Sequence, residues 1–384
     1  FKGFVWQKEL GFAIEPHTAI VPHFDFILRD ERINCVVVAI EGVNSAKNVV
    51  FEAIRKKKHV VTSNPMLVAY HMAEIQQLLN DNPGVKFCYE ASVCGGIPIV
   101  SSLQSDYLGD KIFKLTAFLD GSANVVLTKM NDGGVSLCEA MQWAMRSGVV
   151  GENRNNFCDG SDVLAQLSIL SKIAFGAPIS SETVSCGGIS KVTRKDFEFA
   201  RRFEATVKFL GVVQLNRDEA AISVYIAPAI VSDESCFGKC AKNMNVVAVE
   251  SRNVGRNVYK GGAAEKCSAV ANSIVSDVLR VAKGATNPPF LFHVDWDFDA
   301  DFEGAFCVRV TAKAGGEEVS GRLRGVCEAH EVAVDSFSEV EHSGEVSFAL
   351  VTGTCKRSKV DGLCDAIGKE EWSVGRPVYM AMFG

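Results

Sequence analysis

The sequence predicts an α/β protein built from three parts, and three observations predict this fold class. Before about residue 105, apolar runs of strand length alternate with amphipathic segments of helical spacing, the order of a doubly wound parallel sheet. Beyond that point, strands with alternating apolar residues indicate an α+β region. The loop 285–289, which contains two prolines, then precedes a C-terminal segment with the element order βαββαβ.

Composition and charge limit the classes of function. The chain has 384 residues, 47% of them hydrophobic and 22% charged, which is typical of a globular protein with two or three domains. A net charge of −6 gives no reason to expect nucleic acid or an anionic membrane as a partner. No apolar run reaches the roughly 20 residues that a bilayer span needs, so we expect a soluble protein.

The cysteines indicate a reducing compartment. Thirteen are scattered along the chain without a CxxC pair, and the closest two, Cys236 and Cys240, have no histidine cluster nearby. We expect buried thiols in a protein of the cytoplasm or of an organelle matrix, mitochondrial or plastid. The chain begins at Phe1 without a signal-peptide pattern, and we expect it to be a fragment or a processed product.

The segment before residue 105 has the element order of a nucleotide-binding sheet. Strand, helix, strand, helix and strand are predicted in turn over residues 33–40, 44–58, 59–63, 65–82 and 85–93. Such a Rossmann-type sheet usually begins with a strand, a GxGxxG turn and a helix that holds pyrophosphate. No GxGxxG follows a strand in this sequence. We therefore predict an incomplete Rossmann-type parallel sheet over residues 1–105, in which the first strand and GxGxxG are absent.

Residues 106–285 predict a domain of a different kind. Strands are predicted over 111–121 and 221–228, and helices over 136–148, 161–176 and 268–284. We interpret them as an α+β substrate and dimerisation domain, whose last helix returns to the first domain. Residues 286–384 form the third predicted domain, with elements over 305–314, 317–330, 332–337, 345–355, 359–368 and 378–383.

Four stretches carry a family resemblance. The most specific is YEASVCGGIPIV (89–100), and it is accompanied by FLDGSANVVLTKM (118–130), DGSDVLAQLSIL (159–170) and VGRNVYKGGAAEK (254–266). Their order and spacing resemble homoserine dehydrogenase over essentially the whole chain, and residues 286–384 resemble the ACT domain of that family. The resemblance implies NAD- or NADP-dependent interconversion of L-aspartate semialdehyde and L-homoserine, a step of threonine and methionine biosynthesis.

The resemblance also implies a set of site residues. Cofactor contacts fall on Glu41, Gly42, Asn64 and Gly262, substrate contacts on Gly148, Gly151 and Asp162, and a sodium ion on Glu90, Val93, Gly95 and Ile97. A hard cation prefers oxygen ligands, and a glycine-rich loop can turn its carbonyls inward. Ordinary alternatives are a turn position for each cofactor residue, a loop without an ion for the sodium residues, and a helix N-cap for Asp162.

The sequence departs from the family where the chemistry is expected. Pro65 and Gln166 occupy the positions of two family lysines, and Gly151 occupies that of a substrate-binding glutamate. A lysine can give a proton to the oxygen of a reduced aldehyde, whereas glutamine offers only a neutral N–H and proline offers no donor. The sequence therefore predicts that both proton donors of the family are missing.

A shifted alignment is the alternative to this interpretation. Glu152 lies next to the glutamate position, and Lys58 and Lys172 lie in the same general stretches as the two lysine positions. However, residues 62–64 align the first lysine position without a gap, and residues 160–162 do the same for the second. A shifted alignment is therefore still an alternative for the glutamate position, but it is disfavoured for the two lysine positions.

The C-terminal segment also departs from its family. ACT domains that bind amino acids commonly carry an acidic residue before a Pro-Gly turn, whereas Gly315 occupies the proline position here and no aspartate precedes it. Amino-acid sensing is therefore disfavoured. Pairing of two such domains through helices or strand edges is still expected.

Two hypotheses about function follow. The first is a catalytically impaired or inactive relative, a pseudoenzyme kept as a structural or regulatory subunit of a homo-oligomer or a larger assembly. The alternative is an active homoserine dehydrogenase, which would take a small amino acid substrate. The missing lysines favour the first hypothesis. If the chain is complete at its N-terminus, the pyrophosphate cradle is missing, and we expect binding of NADP or NAD no tighter than about millimolar.

Overall fold

The fold is given by a computed structural model that describes residues 4–5, 19–20, 23–40, 42–148, 159–184, 186–216, 218–240, 244–262, 268–290, 292–313, 317–342 and 345–384. The strands are β1 (Phe4–Val5), β2 (Ala19–Ile20), β3 (Cys35–Val38), β4 (His59–Thr62), β5 (Phe87–Cys88), β6 (Ile112–Phe118), β7 (Ala205–Leu215), β8 (Ala221–Ser232), β9 (Met244–Ser251), β10 (Gly255–Gly262), β11 (Asp297–Asp299), β12 (Glu303–Ala312), β13 (Val334–His342), β14 (Glu345–Thr352), β15 (Cys355–Lys356) and β16 (Val378–Phe383). The helices are α1 (Asp25–Arg29), α2 (Val43–Arg55), α3 (Pro65–Tyr70), α4 (Met72–Asp81), α5 (Ile99–Ser105), α6 (Gly121–Gly133), α7 (Leu137–Arg146), α8 (Ser161–Phe175), α9 (Arg194–Arg202), α10 (Ser268–Lys283), α11 (Glu317–Ala329) and α12 (Arg357–Ile367).

The chain divides into two compact units. The first unit contains residues 1–109, 172–178 and 263–293, and the second contains residues 110–171, 179–262 and 294–384. Helix α10 groups with the first unit, and so do the residues that follow it up to 293. The domain ranges 1–105, 106–285 and 286–384 stay predictions. None of the described helices is long and apolar enough to cross a bilayer.

The first unit contains a parallel sheet with the order β3-β4-β5. In register, Val36 lies beside Val60, and Val60 lies beside Phe87. All three side chains are buried, so this face of the sheet is covered. This sheet confirms the predicted α/β fold class.

Two predicted elements of the first unit are shorter than expected. The predicted strand 85–93 is a strand only at Phe87–Cys88, because residues 90–92 turn into a 3₁₀ helix. The predicted helix 65–82 is divided into α3 and α4 at His71, whose φ of −124° lies outside the helical region. The His71 ring packs edge-on against Phe51, and its Nδ1 contacts the Glu74 carboxylate.

The second unit is organised by one sheet with the order β10-β9-β6-β7-β8-β16-β12-β14-β13. The longest pairing is that of β7 with β8, in which Gly211 lies beside Ile226. Helix α8 packs on this sheet so closely that a Cβ on Gly211 would lie 2.9 Å from Leu167 Cδ2. Strand β7 can approach the helix at this point because it has a glycine there.

The C-terminal elements follow the predicted order, β12-α11-β13-β14-α12-β16. Their strands continue the same sheet, since β16 pairs parallel to β8 and antiparallel to β12. Helix α9 also contacts them within the second unit, because the buried Asp196 carboxylate accepts a hydrogen bond from Arg309 Nε at 2.6 Å. On α11, Val319, Leu323 and Cys327 are buried along one face of the helix.

Candidate functional site

In the first unit, Thr62 and Asn64 lie at the carboxyl edge of the parallel sheet, and their side chains form hydrogen bonds with the neighbouring strand and the residues after it. Thr62 Oγ1 donates to the Val38 carbonyl at 2.9 Å, and Asn64 Nδ2 donates to the Ile40 carbonyl at 3.1 Å. Asn64 Oδ1 accepts from the Leu67 N–H at 2.9 Å, so the same side chain is the N-cap of α3. Both the nitrogen and the oxygen of the Asn64 carboxamide thus form hydrogen bonds within the chain.

Pro65 follows Asn64 as the first residue of α3. Proline is favoured at this position because the N–H that it lacks has no partner in the first helical turn and because its φ suits a helix. The side chain is partly exposed and carries no donor. The local sequence therefore explains Pro65 as the start of a helix. Position 65 supplies no ammonium group to this edge of the sheet.

The other predicted cofactor residues lie in two places. Gly42 precedes α2 with a φ of +87°, a conformation that favours glycine, and the space where a Cβ would stand is open to 4 Å. Glu41 lies outside the described residues. Gly262 is the last residue of β10, in the second unit, and pairs with Met244. The structure places Gly42 and Asn64 at the ends of neighbouring strands.

Lys58 and Lys172, the alternatives of a shifted alignment, are both buried and bound to backbone. Lys58 Nζ donates to the carbonyls of Asp30 and Ile33, each at 2.7 Å. It also lies before β4, whereas Pro65 lies after it, so the two positions are at opposite ends of that strand. Burial lowers the pKa of Lys58.

Lys172 Nζ donates to the carbonyl of Gly176 at 2.9 Å and to that of Phe292 at 2.7 Å, with His293 Nδ1 at 3.3 Å. Burial lowers the pKa of Lys172. Its contacts fix the residues that follow α8 and those that follow α10, all within the first unit. Both lysines therefore have structural roles that account for their positions.

The loop predicted to hold sodium is organised around Glu90. Its Oε1 accepts from the Val100 N–H and its Oε2 from the Ser101 N–H, both at 2.9 Å, so the carboxylate caps the start of α5. Arg280 Nη1 lies 3.3 Å from Oε2. The Glu90 side chain is 4% exposed and bonds within the chain through both oxygens.

The partners of this loop come from α10. The Glu90 N–H donates to Asp277 Oδ2 at 3.0 Å, and Asp277 Oδ1 accepts from Arg280 Nη1 at 3.1 Å. Burial raises the pKa of Asp277 to about 6. Asp277 and Arg280 are not among the site residues predicted from the sequence. The available signal was a pair of charged residues three positions apart in a helix, which put both on one face.

Helix α10 also explains the two glycines of the loop. A Cβ on Gly95 would lie 2.5 Å from Val270 Cγ2, and a Cβ on Gly96 would lie 2.8 Å from Ala269 Cβ. The Gly96 N–H donates to Ser273 Oγ at 3.2 Å. Val93 and Ile97, the other two residues predicted to offer carbonyls to sodium, are buried. Close packing against α10 is thus a sufficient reason for the glycines, and the sodium site stays a prediction.

In the second unit, Asp162 and Gln166 lie one turn apart on α8. Gln166 Nε2 is 3.5 Å from the Leu119 carbonyl, at the end of β6. The next residue, Asp120, caps α6 by accepting from the Ser122 N–H at 2.8 Å. The alternative that Asp162 is an N-cap is wrong, because α8 begins at Ser161 and Asp162 lies inside its first turn.

The remaining substrate positions are Gly148 and Gly151. Gly148 follows α7 with a φ of +68°, donates its N–H to the Met145 carbonyl at 3.0 Å, and has open space where a Cβ would stand. Gly151 and its neighbour Glu152 lie outside the described residues. In the second unit the structure therefore brings Asp162 and Gln166 onto one helix and places a neutral amide at the predicted lysine position.

The chain is similar in sequence and in fold to known proteins of one family. The family model for homoserine dehydrogenase matches residues 98–279. The homoserine dehydrogenase of Lactococcus lactis is 31% identical over 278 residues, which cover 71% of this chain and 64% of that protein. The crystal structure of a homoserine dehydrogenase from Thiobacillus denitrificans superposes with a TM-score of 0.88 at 25% identity, covering 95% of this chain and 85% of that one.

A second solved structure shows the fold alone. A hyperthermophilic archaeal homoserine dehydrogenase in complex with NADPH has a TM-score of 0.58 at 21% identity, over 68% of this chain and 75% of that one. The chain spans less than two thirds of the length of the Lactococcus lactis protein. Family match, sequence identity and fold agree, and the chain therefore belongs to the homoserine dehydrogenase family.

Proposed function

We propose that this chain is a homoserine dehydrogenase relative with little or no turnover, kept as a structural or regulatory subunit. One observation carries the proposal. Pro65 is the first residue of α3, directly after the capping Asn64, so its position is fixed by a local helix start. The nearest alternatives, Lys58 and Lys172, are bound to backbone carbonyls.

The chemistry of the family reaction gives this observation its weight. Reduction of an aldehyde places a hydride on carbon and a proton on oxygen, and loss of a positioned acid typically lowers the rate by roughly 10²–10⁴. Pro65 cannot donate a proton, and Gln166 donates only a neutral N–H. Loss of both of the family's proton donors leaves little rate enhancement.

The described residues do not fit tight binding of NADP or NAD. The sheet edge at Asn64 and Gly42 is where a Rossmann-type fold receives a dinucleotide. However, the Asn64 carboxamide is bonded to Ile40 and Leu67, and the sequence has no GxGxxG to present backbone N–H groups to pyrophosphate. A sodium ion at residues 90–97 would be held by backbone carbonyls, because both carboxylate oxygens of Glu90 accept hydrogen bonds within the chain.

An active homoserine dehydrogenase is the second candidate. The observation in its favour is that Asp162 stands on α8 one turn before Gln166, where a carboxylate could hold the ammonium group of an amino acid. In that case the proton is transferred by a side chain at some other position, since neither Pro65 nor Gln166 is a lysine.

The experiment measures turnover of the unmodified chain with homoserine and NAD or NADP. Enzymes typically turn over at about 10 s⁻¹, and we expect less than about 0.1 s⁻¹ after the loss of at least one positioned acid. A rate near 10 s⁻¹ would show that proton transfer does not need the two lysines.

The double variant Pro65→Lys with Gln166→Lys is compared with the double variant Pro65→Met with Gln166→Met, in which methionine has a size similar to lysine but no charge. A rate gained only by the lysine pair would identify the two positions as the lost donors.

A further inference from the structure

A cavity of about 260 Å³ in the first unit is lined by β5, α5, α10 and residues 285–287. Sites for drug-sized ligands have roughly 300–1,000 Å³, whereas one molecule of liquid water takes about 30 Å³. The cavity therefore has room for a small organic molecule of about the size of a simple sugar. Residues 62–65, at the carboxyl edge of the sheet, do not belong to its described lining.

The charged groups inside this cavity are paired with one another. Arg280 Nη1 donates to Asp277 Oδ1 at 3.1 Å and lies 3.3 Å from Glu90 Oε2. Glu90 Oε1 accepts from the Val100 N–H, and Asp277 Oδ2 accepts from the Glu90 N–H. Asp106, the other charged residue of the described lining, is exposed at the end of α5. Because the interior charges already have partners within the chain, the cavity does not select a charged ligand.

The neutral polar groups of the lining have a different status. The Thr286 hydroxyl oxygen is buried and has no hydrogen-bond partner among the described residues. Such groups are rare in folded proteins, because a buried polar atom without a partner is destabilising. Ser102 and Asn287 line the same cavity, and no described contact uses their side chains. Hydroxyl and carboxamide groups both donate and accept hydrogen bonds, so these three residues offer neutral partners to a ligand.

Apolar side chains form another part of the lining. Phe87, Tyr89 and Val100 belong to it and are buried. The Tyr89 ring stacks on Phe290 with 5.6 Å between the ring centroids, and its Oη accepts from Gln104 Nε2 at 3.1 Å. A mainly apolar wall with a few polar groups is the usual lining of a small-molecule site. A sugar matches such a lining, since its C–H faces are apolar and its hydroxyl groups lie at its edges.

We propose that this cavity binds a small neutral polyhydroxyl compound, a monosaccharide or a related polyol, through Thr286, Ser102 and Asn287. Hydroxyl groups of the ligand give the buried Thr286 oxygen the partner that it lacks. A charged compound is disfavoured, because burying its charge without a counter-ion is costly. A bound polyol joins α5 to the segment that follows α10. The site does not depend on turnover, since neither Pro65 nor Gln166 belongs to its described lining.

The experiment is saturation-transfer NMR of the full chain at constant ionic strength. D-Glucose, D-glucosamine and D-glucuronate are the neutral, cationic and anionic probes of similar size. We expect glucose to bind saturably with a dissociation constant in the millimolar range, and each charged sugar to bind about fivefold more weakly or less. Absence of saturable glucose binding would overturn the proposal and leave the cavity to water. Tighter binding of either charged sugar would contradict the assignment of a neutral ligand.

Two variants and a control test the location. Thr286→Val replaces the hydroxyl by a methyl group of similar size, and Ser102→Ala removes the second hydroxyl. Each variant loses one hydrogen bond to the ligand and is expected to weaken glucose binding by about threefold or more. Ser276→Ala, on α10 but outside the described lining, is the matched control and is expected to leave binding unchanged. Equal losses in all three variants, or no loss in the first two, would show that glucose binds elsewhere and would overturn the proposal.

Thermal unfolding of Thr286→Val without ligand gives a second readout. Because the Thr286 hydroxyl has no partner among the described residues, its loss is expected to leave the midpoint of unfolding unchanged or to raise it. A lower midpoint would show that the hydroxyl bonds within the chain, which contradicts its role as a ligand contact.

Discussion

Replacing Lys172 by methionine removes the ammonium group that holds the segments after α8 and after α10. Two carbonyls, those of Gly176 and Phe292, then lose donors at 2.9 and 2.7 Å. Hydrogen bonds to a charged group contribute about 1.5–3 kcal/mol each, and the desolvation of the buried ammonium offsets part of that sum. We expect Lys172→Met to lower the free energy of unfolding by about 2–4 kcal/mol.

The pH dependence has a defined sign. Because burial lowers the pKa of Lys172 below its ordinary 10.5, the unfolded chain binds more protons than the folded chain as pH approaches that value. Stability from this group therefore increases with pH in that interval. The difference in unfolding free energy between the unmodified chain and Lys172→Met is expected to widen toward pH 10.

The assay is urea unfolding followed by circular dichroism, with hydrogen exchange to localise the change to residues 172–178. Lys283→Met is the matched control, because Lys283 is exposed in the last turn of α10, and a surface change is expected to stay within about 0.5 kcal/mol. Unchanged stability in Lys172→Met, together with loss of any turnover that the unmodified chain shows, would refute the structural role and make Lys172 a catalytic candidate.

Three further predictions concern cofactor, assembly and pH. Titration calorimetry of this chain with NADPH is expected to give a dissociation constant no tighter than about millimolar, and micromolar binding would contradict the missing cradle. Gly321→Arg with Gly325→Arg adds two bulky side chains to α11 at positions where no atom lies within 4 Å of an added Cβ. If α11 pairs with a second copy of the chain, sedimentation of this variant gives a smaller assembly. The control Gly109→Arg, at a position with equally open space, leaves the mass of the assembly unchanged. An unchanged mass in the α11 variant rejects that interface. Because the pKa of Asp277 is raised from 3.8 to about 6, its contribution to unfolding free energy falls as pH rises from about 4 to 6; Asp277→Asn removes this fall, and equal pH profiles would contradict the assignment.

The local parts of the structure could be predicted from sequence because their causes are local. Apolar periodicity located β3, β4 and α10, and the order Asn64-Pro65 is the signature of a helix start. The family resemblance implies a sodium site at the loop of Glu90, which stays a prediction. It did not give the partner of the Glu90 N–H, because Asp277 lies 187 residues away and nothing in the sequence near either residue records the contact.

The joining of the C-terminal strands to the main sheet was not predictable for a similar reason. Strand β16 pairs with β8 over Ala381 to Phe383, opposite Ala229 to Val231. A short parallel pairing between distant segments leaves no turn signal and no periodicity of its own. The βαββαβ order therefore predicted the elements correctly, whereas the boundary of a separate domain could not be derived from it.

The position of β16 in the middle of the sheet has a consequence for biosynthesis. Strands β8 and β12 are both translated long before residue 383, yet each needs β16 as a neighbour. Until the ribosome has released that segment, both edges are open, and open edges of apolar strands promote aggregation. A chain cut before residue 378 would have the other described strands of this sheet translated but the sheet divided in two, and is expected to be insoluble.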